Sequence, residues 1–149
     1  MGNEERVDLW ETYDFLLSPR RIADEIWRKD IRRQELRACL FPAGIAYNKD
    51  RVQTNQQDQM AEIMAEVAEL DKEIESLQGQ RAILIRRIGR AIDQLGDSRE
   101  RVVLDAYYIG QMSMTEIAEY MHYSLQHIYR LRDSGVKNMR KMLKGSMLL

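Results

Sequence analysis

The chain has 149 residues, which suffices for one ordinary domain or two small ones. Apolar residues make up 44%, so a core can form, and the 32% of charged residues is typical of long exposed helices. The single Cys39 excludes an internal disulfide framework. The N-terminus is acidic, and no apolar run is long enough to span a membrane. We therefore expect a cytoplasmic protein without membrane contacts.

The net charge of −1 conceals a segregation of charge along the chain. Residues 58–75 carry seven acids against one lysine. Residues 121–149 carry one acid, Asp133, against six basic residues: Arg130, Arg132, Lys137, Arg140, Lys141 and Lys144. A phosphate backbone meets the local charge and not the sum, so this last segment is a candidate for binding nucleic acid.

Residues 8–40 predict one helix or two, with a helix-start signal inside the segment. Ser18 is a preferred N-cap residue, and Pro19 fits the first helical position. Apolar side chains beyond this point recur at helical spacing, with charged residues between them. A proline and a glycine then interrupt the pattern, which predicts a polar loop over residues 41–57.

Residues 58–95 carry the longest regular pattern, apolar positions that alternate in steps of three and four. These positions are Met60, Ile63, Val67, Leu70, Ile74, Leu77, Arg81, Leu84, Ile88, Ala91 and Leu95. A heptad seam of this length predicts a helix that must pair with another helix.

Two partners for this helix are open. Folding back on residues 20–40 would form a tethered hairpin and bring opposite charges together, namely Arg32, Arg33 and Arg37 beside Glu62, Glu66 and Glu69. Antiparallel pairing with a second copy would instead set the acidic half of the helix against the basic half of its mate. The hairpin is favoured because its partner is tethered.

Three shorter helices are predicted in the last third of the chain, at Ser98–Ile109, Ser113–Met121 and Ser124–Lys144. Each begins at a serine that can cap it, and Glu116 stands three residues after the second of these serines, which is the capping-box spacing. Gly135 inside the third helix costs about 1 kcal/mol relative to alanine, which predicts close helix packing at that point.

The second and third of these helices have the pattern of a helix-turn-helix. Ala118 is small, as the close crossing of two such helices requires, and Ile128 and Leu131 are spaced to anchor the third helix. The first turns of a recognition helix enter the major groove and meet base edges. We therefore expect the third helix to contact DNA.

The side chains of the third helix divide into two groups by their chemistry. Gln126 can pair with adenine and Arg130 with guanine through two hydrogen bonds each, and Leu125 can contact a thymine methyl group. Ser124, His127, Arg132, Lys137, Arg140 and Lys141 suit phosphates, which give affinity without sequence choice. The predicted DNA-binding residues are Ser124, Leu125, Gln126, His127, Tyr129, Arg130, Arg132, Lys137, Arg140 and Lys141.

Residues 98–144 resemble region 4 of the sigma-70 family, the helix-turn-helix that reads the −35 promoter element. The resemblance rests on "RERVVLDAYYIGQMSMTEIAEYMHYSLQHIYRLRDSGVKNMRKM", with its bulky pair before a glycine, its "TEIA" segment and its capped basic helix. It implies that Leu125, Gln126 and Arg130 hold the base-reading positions. The family usually has an Arg-Glu pair and a Gln there, so the standard −35 sequence is not predicted.

A domain of this kind after a helical hairpin is similar to small phage-encoded transcriptional regulators of the RinA-like and ArpU-like kind. The polar segment "DRVQTNQQDQM" also resembles that group. The resemblance implies control of late or packaging genes and contact with host RNA polymerase.

The sequence thus predicts an all-α protein, with a long helical hairpin or coiled coil over residues 1–96 that oligomerises and a helix-turn-helix domain over residues 97–149. The expected function is a sequence-specific transcriptional regulator that binds double-stranded DNA as a homodimer. The alternatives are a small-terminase-like packaging component and an interaction module for RNA polymerase.

We expect neither an enzyme nor a protein with a cofactor or a metal site. The sequence contains no phosphate-binding loop, catalytic triad or paired carboxylates in a plausible pocket. His122 and His127 lack a cysteine or carboxylate at the spacing of metal ligands.

Overall fold

A computed structural model describes the backbone of residues 3–40 and 52–146, and most of the predicted loop over residues 41–57 lies outside these ranges. The described residues form no strand, so the all-α prediction is confirmed. The helices are α1 (Asn3–Leu40), α2 (Val52–Asp93), α3 (Ser98–Leu104), α4 (Met114–Met121) and α5 (Leu125–Ser146), and a π-helical turn at Asp105–Ile109 continues α3.

Helix α1 runs unbroken past Pro19, so the predicted helix start at Ser18 is wrong. Buried Pro19 has no N–H to donate to the carbonyl oxygen of Phe15, one turn earlier. The Ser18 hydroxyl donates to that same Phe15 oxygen at 2.6 Å. The serine that looks like a cap in the sequence therefore replaces a bond that the proline removes from the helix interior.

Helix α2 begins at Val52 and not at residue 58, because the polar segment before the heptad seam is also helical. Every predicted seam position from Met60 to Leu95 is buried or half-buried. The seam is therefore used for packing, as its period predicts.

The described chain divides into two compact units, one of Met1–Arg21 with Arg81–Leu149 and the other of Ile22–Gln80. This division differs from the predicted boundary between residues 96 and 97.

The Ile22–Gln80 unit is an antiparallel helical hairpin with an apolar seam and with ion pairs between its two helices. Lys29 Nζ lies 2.7 Å from a Glu73 oxygen, and Arg33 and Arg37 lie 2.8 and 3.2 Å from Asp71 Oδ1. The hairpin is as predicted, but its acidic partners are not the predicted ones. Glu62, Glu66 and Glu69 are exposed, whereas the half-buried Asp71 and Glu73 border the seam where the two helices meet.

The other unit has a core to which four helices contribute. Its main cluster combines residues of α1, of the end of α2, of α3 with its π-helical turn, and of α5: Leu16, Ile88, Ala91, Ile92, Leu95, Leu104, Tyr108, Val136, Met139 and Leu143. A boundary after residue 96 would cut through this core. The helix-turn-helix segment thus shares its core with residues from both of the long helices.

Two arginines satisfy the carbonyl groups at the end of the π-helical turn. Arg20 Nη1 donates to Tyr107 O at 3.0 Å, and Arg81 Nη2 donates to Ile109 O at 3.3 Å. Arg81 Nε also donates to Pro19 O at 3.2 Å. The last carbonyls of a helix lack partners within it and carry partial negative charge, so these cations are well placed. This explains the arginine on the otherwise apolar seam.

Gly135 confirms the predicted close packing of the last helix. A Cβ atom at this position would lie 3.1 Å from Leu104 Cδ1 and 3.4 Å from Glu100 Cβ. Helix α5 therefore lies against α3 at a distance that a larger residue would enlarge.

We expect Gly135→Ala to lower the free energy of unfolding by about 1–3 kcal/mol, because overpacking outweighs the gain in helix propensity. Gly89→Ala is the matched control, since a Cβ at Gly89 would have no neighbour within 4 Å. That variant should be more stable by up to about 1 kcal/mol. Urea unfolding followed by circular dichroism measures both, and equal stabilisation by the two variants would contradict the close approach.

Candidate nucleic-acid interface

Helix α4 begins with the predicted capping box. Ser113 Oγ accepts from Glu116 N–H at 3.1 Å, and Glu116 Oε1 accepts from Ser113 N–H at 3.4 Å. Two backbone donors that the helix cannot satisfy are thus bonded reciprocally. The start of α4 is therefore fixed by local chemistry.

A tight turn separates α4 from α5. His122 adopts the left-handed conformation with φ 59°, and its N–H bonds to Glu119 O at 3.4 Å. Tyr123 N–H bonds to Ala118 O at 3.1 Å. This pair of bonds is the Schellman arrangement that ends helices, usually with glycine at the left-handed position.

Helix α5 begins immediately after the turn, at the predicted cap. Ser124 Oγ accepts from His127 N–H at 3.1 Å, and Ser124 O accepts from Ile128 N–H at 3.2 Å. The predicted cap of α3 is wrong, because the Asp97 side chain and not Ser98 accepts from Arg99 N–H, at 2.8 Å. A carboxylate one residue earlier performs the same role there.

The crossing of α4 and α5 is packed as a helix-turn-helix requires. Ile117 and Ile128 are fully buried, and Ala118 and Leu131 are 7% and 6% exposed. They form one apolar cluster with residues of the preceding helices, chiefly Val103 and Met114. The buried side of α5 is therefore fixed from its first turn.

The predicted DNA-binding residues lie on α5 with different degrees of exposure. Seven are exposed: Ser124, Leu125, Gln126, Tyr129, Arg130, Lys137 and Lys141. The other three, His127, Arg132 and Arg140, are half-buried. The His127 ring lies edge-on to Tyr123, with centroids 4.7 Å apart.

Four of these residues form a row that we call the basic face: Gln126, Arg130, Lys137 and Lys141. Their steps of four, seven and four place them on one side of the helix, opposite the buried Ile128 and Leu131. The row is about 22 Å long at the standard rise of an α-helix. Gln126 and Arg130 can pair with bases, and Lys137 and Lys141 each add a positive charge.

Arg132 is held by neighbours and is not part of the basic face. Its Nη2 lies 3.1 Å from Asp133 Oδ1, and its guanidinium carbon lies 5.0 Å from the centre of the Tyr129 ring. Burial lowers the pKa of Arg132, but the hydrogen bond and charge of Asp133 outweigh it and raise the pKa overall. Arg132 thus fixes the position of Tyr129 and Asp133.

Sequence reasoning missed a contact between α1 and α5. The Tyr13 hydroxyl donates to Asp133 Oδ1 at 3.2 Å, and burial together with the Asp133 charge raises the pKa of Tyr13. At the far end of α5, Lys144 Nζ lies 2.8 Å from Asp8 Oδ2. No local pattern could have indicated pairs so far apart in sequence.

A second missed contact joins α3 to α5. The Glu100 side chain is nearly buried and accepts from Ser134 Oγ at 2.6 Å and from Asn138 Nδ2 at 3.0 Å. A buried carboxylate is tolerated when it is hydrogen-bonded in this way. Both donors lie beside the basic face. Because the Glu100 carboxylate is buried beneath them, it does not add an exposed negative charge to that face.

Neither a metal-binding cluster nor a membrane-spanning helix occurs among the described residues. No group of three or more His, Cys, Asp or Glu side chains there could hold a metal ion. No described helix is long and apolar enough to cross a membrane.

Comparison with known proteins places the chain in a family. The profile of a family described as "Protein of unknown function (DUF1492)" matches residues 43–140, which include α2, α3, α4 and most of α5. No curated protein and no solved structure matches the chain.

The turn at His122 makes a testable prediction about the break between α4 and α5. A non-glycine residue in the left-handed region carries strain of about 1 kcal/mol or more, and a β-branched residue carries more. His122→Gly should therefore leave the free energy of unfolding unchanged or raise it slightly, whereas His122→Val should lower it by about 1–3 kcal/mol. Chemical denaturation measures both. If the valine variant were as stable as the glycine variant, the turn would not have this conformation.

Proposed function

We propose that this chain, which belongs to the DUF1492 family, is a transcriptional regulator that binds double-stranded DNA sequence-specifically through α5. The observation that carries the proposal is the basic face, exposed on the outer side of a helix whose opposite side is buried against α3 and α4. A helix held in this way after a tight turn can enter the major groove with its first turns.

The first turns of α5 offer the chemistry for reading bases. The exposed Gln126 can bond to adenine and the exposed Arg130 to guanine, each through two hydrogen bonds. Leu125 is 44% exposed and Tyr129 is 41% exposed, so both offer apolar surface beside these groups. We assign sequence choice to these four residues.

The later turns of α5 offer charge without a base-reading geometry. Lys137 and Lys141 continue the row towards the C-terminus and suit phosphate contacts. Ser124, at the start of the helix, is exposed and can also contact phosphate. Because phosphate contacts are driven by the release of counterions from DNA, the affinity for DNA should fall steeply as the salt concentration rises.

Control of transcription is the finer part of the proposal and rests on the resemblance to sigma-70 region 4. From the further resemblance to small phage-encoded regulators of the RinA-like and ArpU-like kind we infer action at promoters of phage late or packaging genes, with host RNA polymerase as a further partner. The geometry of the basic face itself supports the DNA-binding step.

Selection of bound duplexes from a random pool tests the proposed function most widely. We expect a consensus of a few base pairs that includes adenine or guanine opposite the first turns of α5. Binding of all duplexes with equal strength would contradict a sequence-specific regulator, and no binding at low salt would contradict any DNA-binding role.

Substitutions on the basic face should separate base reading from phosphate binding. Arg130→Ala should lower affinity for the selected duplex by about 1–3 kcal/mol and remove the preference at one base pair. Lys141→Ala should weaken all duplexes alike and reduce the salt dependence by about one counterion.

The control is Arg86→Ala, which removes an exposed cation from α2. Fluorescence anisotropy at several salt concentrations measures all three variants, and the control should bind like the parent protein. Equal losses on every duplex from Arg130→Ala and Lys141→Ala would contradict the assignment.

A further inference from the structure

The hairpin unit exposes large apolar side chains on the outer side of α1. Trp27 is 66% exposed and Ile31, one turn later, is 41% exposed. Ala38 continues the same side of the helix and is also exposed. These three residues define the outer row. Since Ile26 and Leu36 already face the hairpin seam, the outer row is not needed to hold the hairpin together.

Opposite charges border the outer row on one flank. Arg28 lies three residues before Ile31, and Glu35 lies four residues after it. Both residues are exposed. Arg28 is 3.2 Å from Glu25 on its own helix, an exposed pair of small energetic value. Within residues 8–40 and 55–145, Glu35 makes no ion pair.

We propose that the outer row binds the outer row of a second copy of this chain, antiparallel and with the two-fold axis at Ile31. In such a pair Ile31 meets its own mate, because the interface is made from the same patch on both copies. Trp27 then packs on the partner between the positions of Glu35 and Ala38. This surface is independent of α5 and of the proposed DNA contacts.

The charges favour a second copy as the occupant and fix its direction. An antiparallel mate brings each Arg28 level with the Glu35 of the other copy, which makes two ion pairs on the flank of the apolar row. In a two-fold parallel pair the charged flanks of the two copies would lie on opposite sides of the pair, so neither ion pair could form. The row is thus self-complementary in one direction only.

The oligomeric state of the full chain tests the proposal directly. Sedimentation equilibrium should show a dimer that dissociates on dilution, because a single helix face is a small interface. Ile31→Glu should give a monomer with unchanged helical circular dichroism, since the side chain is exposed. Ile83→Glu is the matched control, because Ile83 is an isoleucine of α2 that is 59% exposed, and it should remain a dimer.

A charge exchange tests the direction of pairing. Arg28→Glu and Glu35→Arg should each weaken dimerisation by about tenfold, because two attractive pairs become repulsive. The double variant should restore it, since each glutamate then meets an arginine of the mate. Failure of the double variant to recover would overturn the antiparallel arrangement.

Cross-linking tests the position of the axis. In a Cys39→Ser background, Ile31→Cys should form a disulfide-linked dimer on mild oxidation, and Ile83→Cys should not. A chain that is monomeric at all concentrations, an assembly of more than two copies, or equal cross-linking of the two cysteine variants would overturn the proposal. None of these results depends on DNA binding, so the two proposals fail separately.

Discussion

The arrangement of the C-terminal helices depends on one constraint: α5 must bury one side along most of its length and keep the other side charged. Its first turns lie on the cluster that contains Ile117 and Ala118, and its later turns lie on the cluster that contains Leu16 and Ile92. Two separate apolar clusters thus hold a single helix. The direction of every cation on the basic face follows from this burial, because helical side chains are fixed by their angle around the axis.

The second of these clusters ties α5 to both long helices. Leu16 comes from α1 and Ile92 from α2, and Tyr13 of α1 bonds to Asp133 of α5. The predicted division at residue 96 separates α5 from these supports. A heptad pattern shows that a helix needs a partner, but it does not show that the same helix also completes the core of a neighbouring segment.

Most helix ends and the need for helix pairing were predictable from the sequence, whereas the particular long-range side-chain contacts were not. The capping box at Ser113, the cap at Ser124 and the close packing of Gly135 each follow from residues within one or two turns, and the structure has them. Ser18 shows the limit of such reasoning, because the same residue types start a helix or repair its interior. The role of Arg81 could not be predicted from the sequence, because it depends on where the Ile109 carbonyl group lies. Tertiary packing sets that position.

The account is tested most directly by mapping which backbone amides respond to DNA. In heteronuclear NMR spectra of the full chain, a duplex from the selected pool should shift the amides of Gln126, Arg130 and Lys137 most, with smaller changes over the rest of α5. The buried side of α5 and the hairpin unit should change little. Shifts that concentrate on α1 and α2, or no shifts at saturating duplex, would contradict the claim that α5 is the DNA-contacting helix.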